Sequence, residues 1–249
     1  MKGFLTIYRR ELAGLFLAPL AWFLLFLTLV YDGLFFVHYL RSTNGEVNSS
    51  LELTLGGGLP FWLLMVLLPP LITMRMISEE SKSGLLEFLL TSPVRDGAVV
   101  LGKAAAATSF LAVLWATVPL YALVVQLLGA EPDWGQVLTA YVGAVLVSAL
   151  FCAIGMVTSA ASGTPLVAAF GAMMVNLFLV FLPFAGRSLR DVSPALIDWL
   201  LERVSVVGAF QGSFLTGALD SAHVVFFVAW TAVLLFLAVR LLEARRWWA

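Results

Sequence analysis

Few side chains in this sequence are equipped for covalent or metal chemistry, and their number and spacing decide against most of it. His38 and His223 are the only histidines, whereas a catalytic metal site takes three protein ligands and a supporting shell. Both are expected at a membrane interface. Cys152, the single cysteine, has no partner for an intrachain disulfide. No G-x-x-x-x-G-K-[ST] occurs, and the glycine run "GGGLPF" at Gly56 lacks the lysine that reaches nucleotide phosphates. The chain is therefore not expected to hydrolyse ATP or to bind a cofactor or metal itself. Asp32 is the one acid inside a long apolar run, a possible intramembrane polar site of the kind an ion-coupled secondary transporter uses. Its place past the middle of that run, beside Tyr31 and Gly33, also suits headgroup level or a water-filled cleft.

These residues sit in a chain of 249 residues that is 61% hydrophobic and only 12% charged, about half the charged share of a soluble domain. Crossing a bilayer core takes about 20 apolar residues per helix. Runs of that order fall at about 17–40, 59–77, 104–128, 137–160, 165–186 and 222–242. Spans must be helices or a closed barrel, and these runs lack a barrel's alternation. An all-α integral membrane protein with six transmembrane helices is expected. The apolar region near the N-terminus is too long for a signal peptide, so it reads as an uncleaved first span. Small residues, among them Gly102, Gly143 and Gly155, mark places where helices can approach closely.

Lys and Arg favour the cytosolic side of short loops. With both termini in the cytosol, Lys2, Arg9, Arg10, Arg75, Lys82, Arg95, Lys103, Arg240, Arg245 and Arg246 lie there, against Arg41, Arg187, Arg190 and Arg203 outside. That distribution sets the expected orientation. The formal net charge of -1 and the scattered basic residues give no footprint for nucleic acid. Loops are expected at 41–58 and 129–135. A short outer helix is expected in "SPALIDWLLERV", with Ser193 as N-cap and Pro194 at the first helical position.

The stretch "SEESKSGLLEFLLTSPVRDGAVVLGK", 78–103, interrupts this pattern. Glu79, Glu80, Lys82, Ser83 and Glu87 oppose a face of Leu85, Leu86, Phe88, Leu89 and Leu90, which reads as an amphipathic helix over about 79–92. Pro93 ends it, and Asp96 is placed to cap the third span. Interfacial helices usually carry Lys and Arg on the polar face, whereas carboxylates outnumber lysine here. Docking of a soluble partner explains that face better than lipid attraction.

At "LPPLITMRMISEESKSGLLEFLLTSPVRDGAVVLGK" the sequence resembles the ABC-2 family of ABC-transporter permeases, and within it the GldF-like branch, the membrane subunit of gliding-motility-associated transporters. "YRRELAGLFLAPLAWFLL" is similar to that family's interfacial helix (about 3–15) and first span. "PDWGQVLTAYVGAVLVSALFCAIGMVTSAAS" resembles its fourth span with the preceding outer loop, and "SVVGAFQGSFLTGALDSAHVVFF" the outer helix before the sixth. The resemblance implies a single transmembrane domain over 1–249 that pairs, as a dimer, with a second permease copy or a homologous permease in a prokaryotic inner membrane. Each half would bind a separate ABC ATPase, which holds the ATP and Mg. An auxiliary membrane protein with a large outer domain is implied as a further partner.

The resemblance also assigns residues. The ATPase-coupling helix carries Glu79, Glu80, Ser83, Gly84, Glu87, Phe88, Thr91 and Pro93, and the outer helix or gate carries Ser205, Phe210, Phe214, Gly217 and Asp220. The polar pair usual between the family's fourth and fifth spans is replaced by Gly163, Thr164 and Pro165. "EESKSG" also resembles the E-E-x-x-x-R start of membrane-embedded CAAX-type proteases, but Gly84 stands at the arginine position. With no row of charges along a span, a hydrophobic or amphipathic cargo fits better than a small ion.

Overall fold

The computed structural model describes residues 2–82, 95–189, 201 and 203–246. Among them every regular element is a helix and there is no strand. Six stretches are long and apolar enough to cross a membrane: Pro19–Ser42, Val47–Glu80, Asp96–Leu127, Trp134–Ala161, Pro165–Phe184 and Ser221–Ala244. The number agrees with the six apolar runs.

Helix α1 (Lys2–Leu17) is amphipathic and packs along the third span. Ala18 is extended (φ −71°, ψ 133°) and Pro19 starts α2 (Pro19–Ser42), since proline suits a first helical position. An elbow results, and the Trp22 indole donates to Phe16 O across it at 3.1 Å. Helix α2 buries Ala21, Leu24, Thr28, Asp32 and Phe36, a stripe at helical spacing. Leu20, Trp22, Phe23 and Phe26 point outward.

The expected loop 41–58 is instead built. Helix α3 (Val47–Glu52) runs into a wide turn, Leu53–Gly57, and then into α4 (Leu59–Thr73). Gly56 has φ +128°, and a Cβ there would strike the Phe210 ring, so only glycine fits on both counts. Its carbonyl accepts from Trp62 Nε1 at 2.8 Å and Gln211 Nε2 at 3.0 Å. The Gly56 carbonyl is thereby satisfied without water.

Helix α5 (Ser78–Lys82) follows α4, and residues 83–94 lie outside the described residues. The third span comprises α6 (Asp96–Trp115) and α7 (Thr117–Leu127). Pro119 leaves the Trp115 carbonyl without its amide donor, which accounts for the break at Ala116. Asp96 is not the cap: Arg95 holds that position, and Asp96 lies in the first turn, where its charge suits the helix dipole.

Helix α8 (Trp134–Ala161) is the axis, packed against α4, α6, α9 (Pro165–Leu189) and α11 (Ser221–Arg246). Asp133 caps it, accepting from the Gly135 and Gln136 amides at 2.9 and 3.2 Å. Close approaches use glycine. A Cβ on Gly143 would lie 2.6 Å from the Phe214 ring. Helix α10 (Val206–Ser213), capped by Ser205, leads through a 3-10 turn to Gly217 (φ +78°). A stack of aromatic side chains fills the space beneath, with Phe61–Trp115 at 4.8 Å, Trp62–Phe210 at 5.4 Å and Phe214–Phe227 at 5.9 Å.

Candidate functional site

The densest charge cluster among the described residues lies where α1, α5 and α6 meet. Lys103, one of α6's residues, is 1% exposed. Its Nζ donates to Glu11 Oε1 at 3.1 Å and to Glu80 Oε1 at 2.8 Å. Arg10 closes the group, 2.7 Å from Glu11 and 3.6 Å from Glu80. A buried ammonium is tolerated only when paired, and two carboxylates from two other helices do so here. Burial works to raise the Glu11 carboxyl, but Lys103 and Arg10 outweigh it and hold it below the ordinary carboxylate range. The hydrogen bond to Glu11 raises the Arg10 guanidinium against the opposing effect of burial.

Three further contacts fix the surroundings. Tyr8 and Ser109 share a hydrogen bond of 3.0 Å between α1 and α6. Ile7 packs against Gly102 so closely that a Cβ on the glycine would lie 3.2 Å from Ile7 Cβ. The turn from α4 to α5 is pinned to the end of α8: Ser159 Oγ accepts from the Ile77 and Ser78 amides at 3.2 and 3.1 Å and donates to Met74 O at 3.1 Å. The start of the polar insert is thus joined to α1, α6 and α8 together.

Of the residues expected on the coupling helix, Glu79 is exposed and faces Arg75 at 3.8 Å. Glu80, also expected on that helix, pairs with Lys103, the cation that α6 places beneath it. Ser83, Gly84, Glu87, Phe88, Thr91 and Pro93 lie outside the described residues. Sequence reasoning treated Lys103 as a loop cation. The signal against that was its setting in "VVLGKAAAA", a lone charge flanked on both sides by apolar residues.

The residues of the expected gate come together at the opposite end. Phe210 and Phe214 are fully buried. Ser205 Oγ accepts from the Gly208 amide at 3.0 Å, and Asp220 Oδ1 from the Ala222 amide at 2.9 Å. Asp220 also lies 3.4 Å from His223 Nδ1. Gln136 ties this end to the rest, donating to Leu215 O at 2.7 Å and to Glu52 at 3.2 Å. No group of three metal-ligating side chains occurs among the described residues.

Asp32 lies inside α2, on the stripe that the helix buries. It is 3% exposed, and Thr117 Oγ1 donates to its Oδ2 at 2.8 Å. One turn further along α7, the Tyr121 hydroxyl donates to Leu29 O. These two bonds clasp α2 to the half-helix that follows the break at Ala116.

Six long apolar stretches, one of which packs against most of the others, with a paired charge cluster at one end, make this a multi-pass membrane protein. Residues 1–202 match the family model described as ABC-2 type transporter, and the chain belongs to that family. It is a permease, the membrane subunit, of a kind that lacks ATPase activity and works with ABC ATPase subunits. The match ends before α10 and α11. No curated protein matched the sequence.

Proposed function

We propose that the chain is one half of an ATP-driven transporter of the GldF-like branch, standing in a prokaryotic inner membrane with both termini in the cytosol. A second copy or a homologous permease supplies the other half, and each half engages its own ATPase, where ATP and Mg are held. An auxiliary membrane protein with a large outer domain is the further partner. The transmembrane domain occupies 1–249, and the helix over 79–92 receives the ATPase through Glu79, Glu80, Ser83, Gly84, Glu87, Phe88, Thr91 and Pro93. Ser205, Phe210, Phe214, Gly217 and Asp220 close the outer end.

The Lys103 cluster carries this reading. A displacement of the insert at Glu80 is passed at once to α1 and α6 through ion pairs of 2.8 and 3.1 Å. Through Ser159 it reaches α8 as well. Nucleotide-driven closure of the ATPases then shifts the bundles between two arrangements, because the contact at 79–92 favours one of them. Hydrophobic or amphipathic cargo fits the apolar interior.

The test is co-purification of the full chain with candidate ATPase subunits, followed by ATP turnover, for the wild type, Glu79→Lys and Glu87→Lys. Release of the ATPase, or loss of its dependence on the permease, is the expected result for both variants. Undiminished binding and turnover in both would remove the coupling role from this helix.

A further inference from the structure

A cavity of about 400 Å³ opens beside the Lys103 cluster at the α1–α2 elbow. Its floor is apolar, formed by Leu15, Ala21, Leu24, Leu71 and Phe110. Its rim carries both signs of charge: Glu11, Glu79 and Glu80 against Arg75 and Lys103. This volume lies within the range of small-ligand pockets, roughly 300–1,000 Å³.

The depth of the rim identifies the kind of occupant. The stretch Asp96–Leu127, broken at Ala116, has 32 residues. At 1.5 Å per residue that is about 48 Å, well beyond a hydrocarbon core of about 30 Å. That excess, and the cost of holding Glu11, Arg75, Glu79, Glu80 and Lys103 in hydrocarbon, set the rim in the headgroup layer. An occupant there meets apolar side chains below and paired opposite charges above.

We infer that this cavity is a binding site for a phospholipid with a zwitterionic, primary-ammonium headgroup, with the start of one acyl chain on the apolar floor. An ammonium has three N–H donors, and Lys103 directs two of its own to Glu11 and Glu80. The third, with the Arg75 guanidinium, is directed to the lipid phosphate. Glu79, 57% exposed on its side chain, accepts from the lipid ammonium. A purely anionic headgroup would meet three rim carboxylates with no cation to offer them, and a trimethylammonium would have no N–H to donate. The site shares Glu79 with the proposed coupling helix but does not rest on that role, since it needs only that the rim lie at headgroup depth.

The experiment uses the full chain in detergent, incubated with equal amounts of phosphatidylethanolamine, phosphatidylglycerol and phosphatidylcholine of identical chains. Retained lipid is counted by native mass spectrometry. Retention of the ethanolamine lipid should exceed that of the other two by about tenfold, the scale of one or two charge-assisted hydrogen bonds. Gly14 lines the cavity, and a Cβ there meets nothing within 4 Å. Gly14→Leu therefore enters the cavity without a clash at Cβ, and it should reduce retention of all three lipids. Glu79→Gln should erase the preference for ethanolamine while leaving phosphate-dependent retention. Equal retention of the three by the wild type overturns the inference, as does undiminished retention in Gly14→Leu or a preference that survives Glu79→Gln.

Discussion

At the scale of single residues, Lys103 has the largest expected effect. Lys103→Met removes the cation from a buried cluster and leaves Glu11 and Glu80 to repel each other beside Arg10 alone. Removing one partner of a buried pair costs about 3–5 kcal/mol, so a drop of several degrees in melting temperature is expected in detergent. Glu79→Lys and Glu80→Lys should separate for the same reason. The first alters an exposed carboxylate and should leave the melting temperature near wild type, whereas the second sets a third cation beside Lys103 and Arg10 and should lower it sharply. Glu11 supplies a pH dependence. Its carboxyl is held low in the folded chain, so its contribution is complete above the unfolded value of about 4.3 and is lost as pH falls below that toward the folded value. A melting series from neutral pH downward should show the wild type falling in acid toward Glu11→Gln, which starts lower and lacks this component of the decline. Glu80 was singled out in the sequence, but its grouping with Glu11, Arg10 and Lys103 was not legible there. Glu11 and Lys103 are far apart along the chain, and only the packing of α1 on α6 brings them to 3.1 Å.

At the scale of elements, the six apolar stretches were legible because span length is set by the bilayer and each run is long enough to register. What escaped were elements whose cause is tertiary or a single atom. The segment before α4 contains too few apolar residues in series to signal structure, yet Gly56 lets it fold back under Phe210. Gly56→Ala must leave φ +128° or displace that ring, and about 1–3 kcal/mol of destabilisation is expected from the backbone conformation alone. Phe210→Ala should cost about 3–5 kcal/mol, because the side chain is fully buried against Phe61, Trp62 and Phe214. Thermal unfolding of the two variants checks both, and a wild-type melting temperature for Phe210→Ala would mean that the outer helix is not packed on the bundle. The break at Ala116 was written in the sequence as Pro119, but hydropathy passes over a proline that removes one hydrogen bond and no apolar surface.

At the scale of the molecule, the arrangement of contacts sets how motion divides. Helices α1, α5 and α6 share the ion cluster, the α4–α5 turn shares Ser159 with α8, and α8 touches most of the remaining spans. The places that can bend are elsewhere: Pro69 and Pro70 inside α4, and the break at Ala116. A push arriving at α5 should therefore move α1 with α6 rather than against it. That division is testable with a disulfide, because the Cβ of a residue at 102 would lie 3.2 Å from Ile7 Cβ. A relaxation of a few tenths of an ångström brings this into the range of about 3.5–4.5 Å found in disulfides. The single native cysteine, Cys152, is buried in α8, so the background is low. In the complex with its ATPase, Ile7→Cys with Gly102→Cys should oxidise readily. ATP turnover and its coupling to the permease should then be the same with and without reductant, since the crosslink joins two parts that already travel together. A loss of turnover that reductant restores would show instead that α1 slides over α6 in each cycle, and the ion cluster would have to break and re-form every time.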